Sequence, residues 1–170
     1  VNTTLEQATQ AIDQTINKLL KIWDKNKDVT HLDQLQYLVR FASNGKLKLK
    51  KASIPELSHA YTSSLFEIQP QLNPDTFTVL QWLRDQNKHM GIICNTGVTP
   101  GFLLRKFLTQ RGAAEYFDHM IFSDEAHIRK PDPRIFHLAA MKLGTKPHNM
   151  IHIGDNLIMD VHGSKAAGYK

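Results

Sequence analysis

The chain of 170 residues holds a single cysteine, Cys94, which excludes an internal disulfide and fits a reducing compartment. No apolar stretch approaches the roughly 20 residues that a membrane-crossing helix requires. The first thirty residues alternate polar and apolar, unlike the continuous apolar segment of a signal peptide. Arginine–aromatic interleaving and recognised nucleic-acid motifs are missing too, so the formal charge of +5 does not call for a nucleic-acid partner. The lysines it does cluster, Lys46, Lys48, Lys50 and Lys51, read as a solvated loop between helices, or as charge that recruits a small anion. With 41% hydrophobic and 22% charged residues, the expectation is a soluble cytoplasmic protein. It would be one domain, or one domain carrying a small insertion, with neither a membrane nor a nucleic-acid partner.

The chain changes character near residue 70. Before it, Leu5, Ala8, Ile12, Ile16, Leu19 and Trp23 recur at helical spacing. Leu32, Leu35, Leu38, Val39 and Ala42 mark a second helix, and Ile54, Leu57, Tyr61 and Leu65 a third. Thr3 and Glu6 have capping-box spacing, and nothing in this region reads as a strand. Pro70 and Pro74 bracket a turn-rich hinge. Beyond it the pattern predicts helices over 75–87, 100–110, 133–143 and 157–167, and strands over 90–94, 120–122 and 150–153. Trp23 and Trp82 read as core anchors. Such alternation predicts an α/β fold with a parallel sheet covered by helices on both faces. Ligands in that architecture bind beyond the carboxyl ends of the strands.

Three polar segments follow the predicted strands. Gly154-Asp155 closes the third, with Asp160 five residues later. A carboxylate there suits magnesium, which takes one or two carboxylates beside waters and phosphate oxygens; a helix cap is the plainer reading. Asn95-Thr96-Gly97 closes the first and enters a helix, offering an anion backbone N–H groups, an amide and a hydroxyl, unless it is an ordinary turn. Lys130, before Pro131-Asp132-Pro133, would be held rigidly at a helix entrance, where an ammonium can neutralise a transferring phosphoryl group. Alone it would read as an exposed lysine in a proline-rich turn. Cys94 reads as a small buried residue and His152 as a packed strand histidine. Together the segments point to a magnesium-dependent site for a phosphate-like anion.

The runs 94–101 (CNTGVTPG), Tyr116-Phe117-Asp118, Phe122-Ser123-Asp124-Glu125, Lys130-Pro131-Asp132-Pro133, Ile135-Phe136 and Gly154-Asp155 resemble, in order and spacing, the haloacid dehalogenase-like hydrolase superfamily. The resemblance covers roughly residues 75–170. It implies a Rossmann-like α/β core over 71–170, incomplete in this chain, an inserted α-helical cap over 5–70, and in residues 1–4 a remnant of the first core motif. It also implies that Cys94, Asn95 and Thr96 form the phosphate-binding second motif, Lys130 the third, and Asp155 and Asp160 the acidic, Mg2+-binding fourth. The family's nucleophile is an aspartate in Asp-x-Asp-x-Thr, and no such motif is present. Either residues 1–5 match the tail of that motif, placing Asn2 at the second-acid position and the nucleophile just before Val1, or Thr3 merely caps a helix. Asn2 cannot exchange a proton as a carboxylic acid does, and Cys94 stands where Ser or Thr is usual. The chain reads as trimmed at both ends. The implied function is a magnesium-dependent phosphatase acting on a small phosphate monoester through an aspartyl phosphate. A haloacid-type dehalogenase, or a weak or inactive binding protein on the same scaffold, stays open beside it.

Overall fold

The computed structural model describes residues 4–68 and 70–170, with Ser64 described by its backbone alone. Helix α1, Leu5–Trp23, starts at Thr4. The Thr4 hydroxyl accepts the Gln7 N–H at 3.2 Å while Gln7 Oε1 accepts the Thr4 N–H at 3.1 Å. The capping box therefore lies one residue beyond the Thr3/Glu6 spacing, because glutamine closes it as glutamate does. A second box, Thr30 with Asp33, starts α2, His31–Ala42. The two helices pack on one another and bury Ala11, Thr15, Leu19 and Leu35. The lysines at 46, 48, 50 and 51 are exposed. The third predicted helix is divided into α3, Ile54–Thr62, and α4, Ser64–Glu67.

After α5, Thr76–Asp85, strand β1, Gly91–Cys94, leads through α6, Gly101–Gln110, to β2, His119–Phe122. The strands are parallel, in register from Gly91 opposite His119 to Cys94 opposite Phe122. Short α7, Ser123–Ala126, follows β2 directly, then α8, Pro133–Lys142. The chain closes with a π-helical turn, Leu157–His162, that runs into α9, Gly163–Ala166. Ile121, Ile135, Phe136, Ala139, Ala167 and Tyr169 form the core between β2, α8 and the chain's last turn. The Tyr169 hydroxyl donates to the Phe136 carbonyl at 2.7 Å within it. No helix among the described residues is long and apolar enough to cross a membrane.

Two expectations need correcting. Residues 150–153 form no strand: Ile151 and Ile153 are 72% and 88% exposed, and no described strand pairs with them. An apolar alternating run becomes a strand only through a neighbour's ladder, which periodicity cannot supply. Nor are the tryptophans core anchors. Leu80 is the buried member of α5, and Trp82, two residues and about 200° further round the helix, is 60% exposed. Trp23 is half-buried, and its indole N–H donates to Asp28 Oδ1 at 2.9 Å.

Gly101 shows how closely α6 meets β2. A Cβ at this position would lie 2.5 Å from Phe122 Cβ, and Phe122 is fully buried. Gly101→Ala should therefore destabilise the fold by about 2 kcal/mol through overpacking, read as a lower denaturation midpoint in urea. An unchanged midpoint would show that the two elements can separate freely.

Candidate active site

The ends of β1 and of the 127–130 segment meet through one side chain. Asn95 Oδ1 accepts the Lys130 N–H at 2.8 Å, and Asn95 Nδ2 donates to the Lys130 carbonyl at 2.9 Å. An amide is the side chain that can meet both groups of one residue at once. Lys130 is thereby clamped at the carboxyl end of the sheet, and Asn95 Nδ2 also lies 3.8 Å from Met159 Sδ.

The Lys130 ammonium donates to Asp160 Oδ1 at 2.5 Å, and His152 Nε2 approaches the same oxygen at 2.8 Å. Asp160 Oδ2 accepts the Asn156 N–H at 3.1 Å. All three side chains are nearly buried. Burial alone would raise the Asp160 pKa; hydrogen bonds from Lys130, His152 and the Asn156 N–H outweigh it and hold the carboxyl at about 2. His152 also packs edge-on against Phe136, with ring centroids 5.1 Å apart. Packing was legible in its alternation with Ile151 and Ile153; its carboxylate partner, eight residues on, was not. Gly154 lets the loop lie against Asp160, since a Cβ there would fall 2.2 Å from Asp160 Cγ.

Asp155 is exposed and does not cap the following turn. That task belongs to Asn156, whose Oδ1 accepts the Ile158 and Met159 N–H groups. Among the described residues no group of three or more His, Cys, Asp or Glu side chains is set to hold a metal ion. Asp160 does not suit direct coordination, because both its oxygens are engaged by internal donors. Asp155 does suit it, as one hard oxygen ligand beside waters and ligand oxygens, a donor set magnesium accepts.

Thr96 is buried and its polar groups face inward. Its N–H donates to Ser123 Oγ at 2.8 Å, and its hydroxyl lies 3.2 Å from both Ser123 Oγ and Asp124 Oδ1. Burial pushes the Cys94 thiol pKa up, against the pull of Lys130 and Arg129, so the sulfur stays protonated and weakly nucleophilic at neutral pH. Asn2 lies outside the described residues. A cavity of about 350 Å3 lined by His119, Ile121, Glu125, Leu138 and Lys142 contains none of these groups.

Sequence reasoning missed the network behind the site. Asp28 accepts from Arg129 Nη1 and from Ser123 Oγ, each at 2.6 Å, and Asp124 accepts the Gly101 N–H at 3.1 Å. Ser123 and Asp124 lie in the run 122–125 that carries the family resemblance, and Arg129 directly precedes Lys130, so the sequence marked their segments but not their partners. Asp28 had no such mark, because its partners stand 95 and 101 residues away along the chain. Gln34 of α2 adds a bond from Nε2 to the Gly97 carbonyl at 3.2 Å.

A polar cluster at the carboxyl end of a parallel sheet lies where open α/β folds bind their ligands. Residues 1–168 match the family model for haloacid dehalogenase-like hydrolases, and the chain belongs to that family. It is 31% identical over 141 residues to a glyceraldehyde 3-phosphate phosphatase of Methanopyrus kandleri, covering 81% of this chain and 55% of that protein. It is also 31% identical over 117 residues to a phosphoglycolate phosphatase of Yersinia pseudotuberculosis, covering 69% and 49%. The chain thus spans about half the length of these relatives. Among solved structures it is similar to a haloacid dehalogenase-type phosphatase from Thermococcus onnurineus, with TM-score 0.56 and 28% identity over 95% of this chain and 74% of that one. A 2-haloacid dehalogenase from Pseudomonas syringae shares the fold, with TM-score 0.63 at 18% identity over 98% and 66%. The Rossmann-like α/β architecture with a helical cap is common to them.

Proposed function

We propose that this protein hydrolyses a small phosphate monoester with the help of magnesium, through an aspartyl phosphate. The observation that carries the reading is the buried Lys130–Asp160 pair, clamped by Asn95 at the end of β1. An ammonium has three N–H donors; Asp160 takes one, and two remain to meet phosphoryl oxygens. Phosphatases among the relatives support the substrate class, a short phosphorylated metabolite. In this reading residues 5–70 are the cap that selects the substrate and 71–170 the core.

Each residue then has a task. Lys130 binds the phosphoryl group and offsets its charge as the bond to the leaving oxygen breaks. Asn95 holds Lys130 in place, and the turn formed by Cys94, Asn95 and Thr96 frames the anion. Asp155 would hold Mg2+, which when bound offsets charge on nucleophile and phosphate. Asp160 anchors the ammonium and is not itself a ligand. The family's Asp-x-Asp-x-Thr nucleophile motif is not found within residues 1–170; Asn2, taken at that motif's second-acid position, can donate a hydrogen bond but not a proton.

The test is phosphate release by the full-length protein from a panel of small phosphate monoesters, with and without magnesium. Magnesium-dependent release is expected; none from any substrate would end the proposal. Halide release from a 2-haloacid without metal would place the protein with the dehalogenases instead. Asp155→Asn should raise the magnesium concentration needed for half-maximal rate by at least about tenfold. An unchanged requirement would remove Asp155 from the metal site.

A further inference from the structure

Resting on the reading of Lys130 as the phosphate-binding ammonium, we infer that Asp28, in the helical region, is a positioning residue that sets both Lys130 and the Asn95–Thr96 turn through Arg129. The Asp28 side chain is fully buried and that of Arg129 is 11% exposed. Asp28 Oδ2 accepts from Arg129 Nη1 and Ser123 Oγ at 2.6 Å and from Thr96 Oγ1 at 3.4 Å. Oδ1 accepts the Trp23 indole N–H and the Val29 N–H, both at 2.9 Å. Four donors on one carboxylate, with the Thr96 hydroxyl beside them, leave it no other orientation. Buried ion pairs of this kind contribute little net stability compared with apolar packing, so a role in fixing geometry is the better account of its place here.

Arg129 is gripped from both sides. Its Nη1 also donates to the Thr96 carbonyl, and its guanidinium lies 4.4 Å from the centre of the Trp23 ring. Its backbone N–H donates to the Asn26 carbonyl at 3.0 Å, next to an antiparallel bridge between Lys27 and Ile128. Lys130 is the next residue, and its own backbone is held by Asn95. One carboxylate therefore reaches two parts of the proposed anion site. Releasing Arg129 loosens Lys130 on one side and the Thr96 carbonyl on the other, and displacements of about 1 Å at such groups can cost 100-fold in rate.

The experiment titrates inorganic phosphate into the full-length protein by calorimetry, with magnesium chloride present, alongside steady-state kinetics. Asp28→Asn should weaken phosphate binding about tenfold and lower kcat/KM at least as much. Combined with Lys130→Ala, its effect should fall well short of the product of the two single losses, since it acts largely through Lys130. Because Asp28→Asn strands a buried arginine, the paired variant Asp28→Asn with Arg129→Gln is measured as well; it leaves no unpaired charge and should still bind phosphate about tenfold more weakly. Wild-type phosphate affinity in the folded paired variant, or fully multiplicative losses with Lys130→Ala, would overturn the inference. Unaltered phosphate binding in Lys130→Ala alone would instead remove the underlying assignment of Lys130, and the inference with it.

Discussion

Lys130→Ala should lower kcat/KM for phosphate-monoester hydrolysis by about three orders of magnitude. The size follows from where the ammonium sits. It is nearly buried, held by the Asp160 carboxylate and by a two-point bond from Asn95 to its backbone, so in the proposed reaction it would need no reorganisation as charge develops on the phosphoryl oxygens. A fixed donor in a water-poor site acts far more strongly than a mobile surface lysine. Asp160 would keep His152 and the Asn156 N–H after the truncation, so the fold should survive and thermal stability should fall far less than activity. Lys130→Arg should recover little, because a planar guanidinium cannot occupy the space of a compact ammonium between Asp160 and Asn95. Steady-state kinetics with a melting curve for each variant separates the two losses. A loss under tenfold in folded Lys130→Ala would mean that phosphate charge is met elsewhere.

What could be read from the chain, and what could not, divides by the distance over which the signal acts. The amphipathic spacing of α1 and α2 and the short apolar runs at β1 and β2 are local, and each stands within a residue or two of its expected place. Residues 150–153 carry as clear an alternation as any, yet form no strand, because pairing depends on another segment. The same division holds in the site. Asn95, Lys130 and Asp160 sit in segments whose order and spacing set them apart, and the fold brings them together through direct hydrogen bonds. The division of tasks among them is not local information. The family resemblance grouped Asp160 with the metal-binding motif and Thr96 with the phosphate-binding one; the fold adds that Asp160 accepts from Lys130, His152 and the Asn156 N–H, and that the Thr96 hydroxyl and N–H face Ser123 and Asp124. Asp28 had no sequence signal at all, since an aspartate in a helix–helix connection is ordinary until Arg129 is placed beside it.

Asp160→Asn should reduce stability at neutral pH by roughly 3 kcal/mol, with much of that difference vanishing in acid. The Asp160 carboxyl is held at about 2 against an ordinary 3.8. A folded-state pKa below the unfolded value means that the folded form favours the ionised group. Its contribution is therefore complete above about pH 4 and is lost as pH falls through 4 towards 2. Near two pKa units correspond to about 2 kcal/mol after allowance for solvent screening. The remainder of the loss comes from the Lys130 ammonium, which asparagine leaves nearly buried beside a neutral amide. Urea unfolding of wild type and variant at a series of pH values should show two curves that run apart at neutral pH and converge between pH 4 and 2. Parallel curves through that range would show that the carboxylate is not ionised by virtue of the fold, and the electrostatic anchor assigned to Lys130 would fall with it.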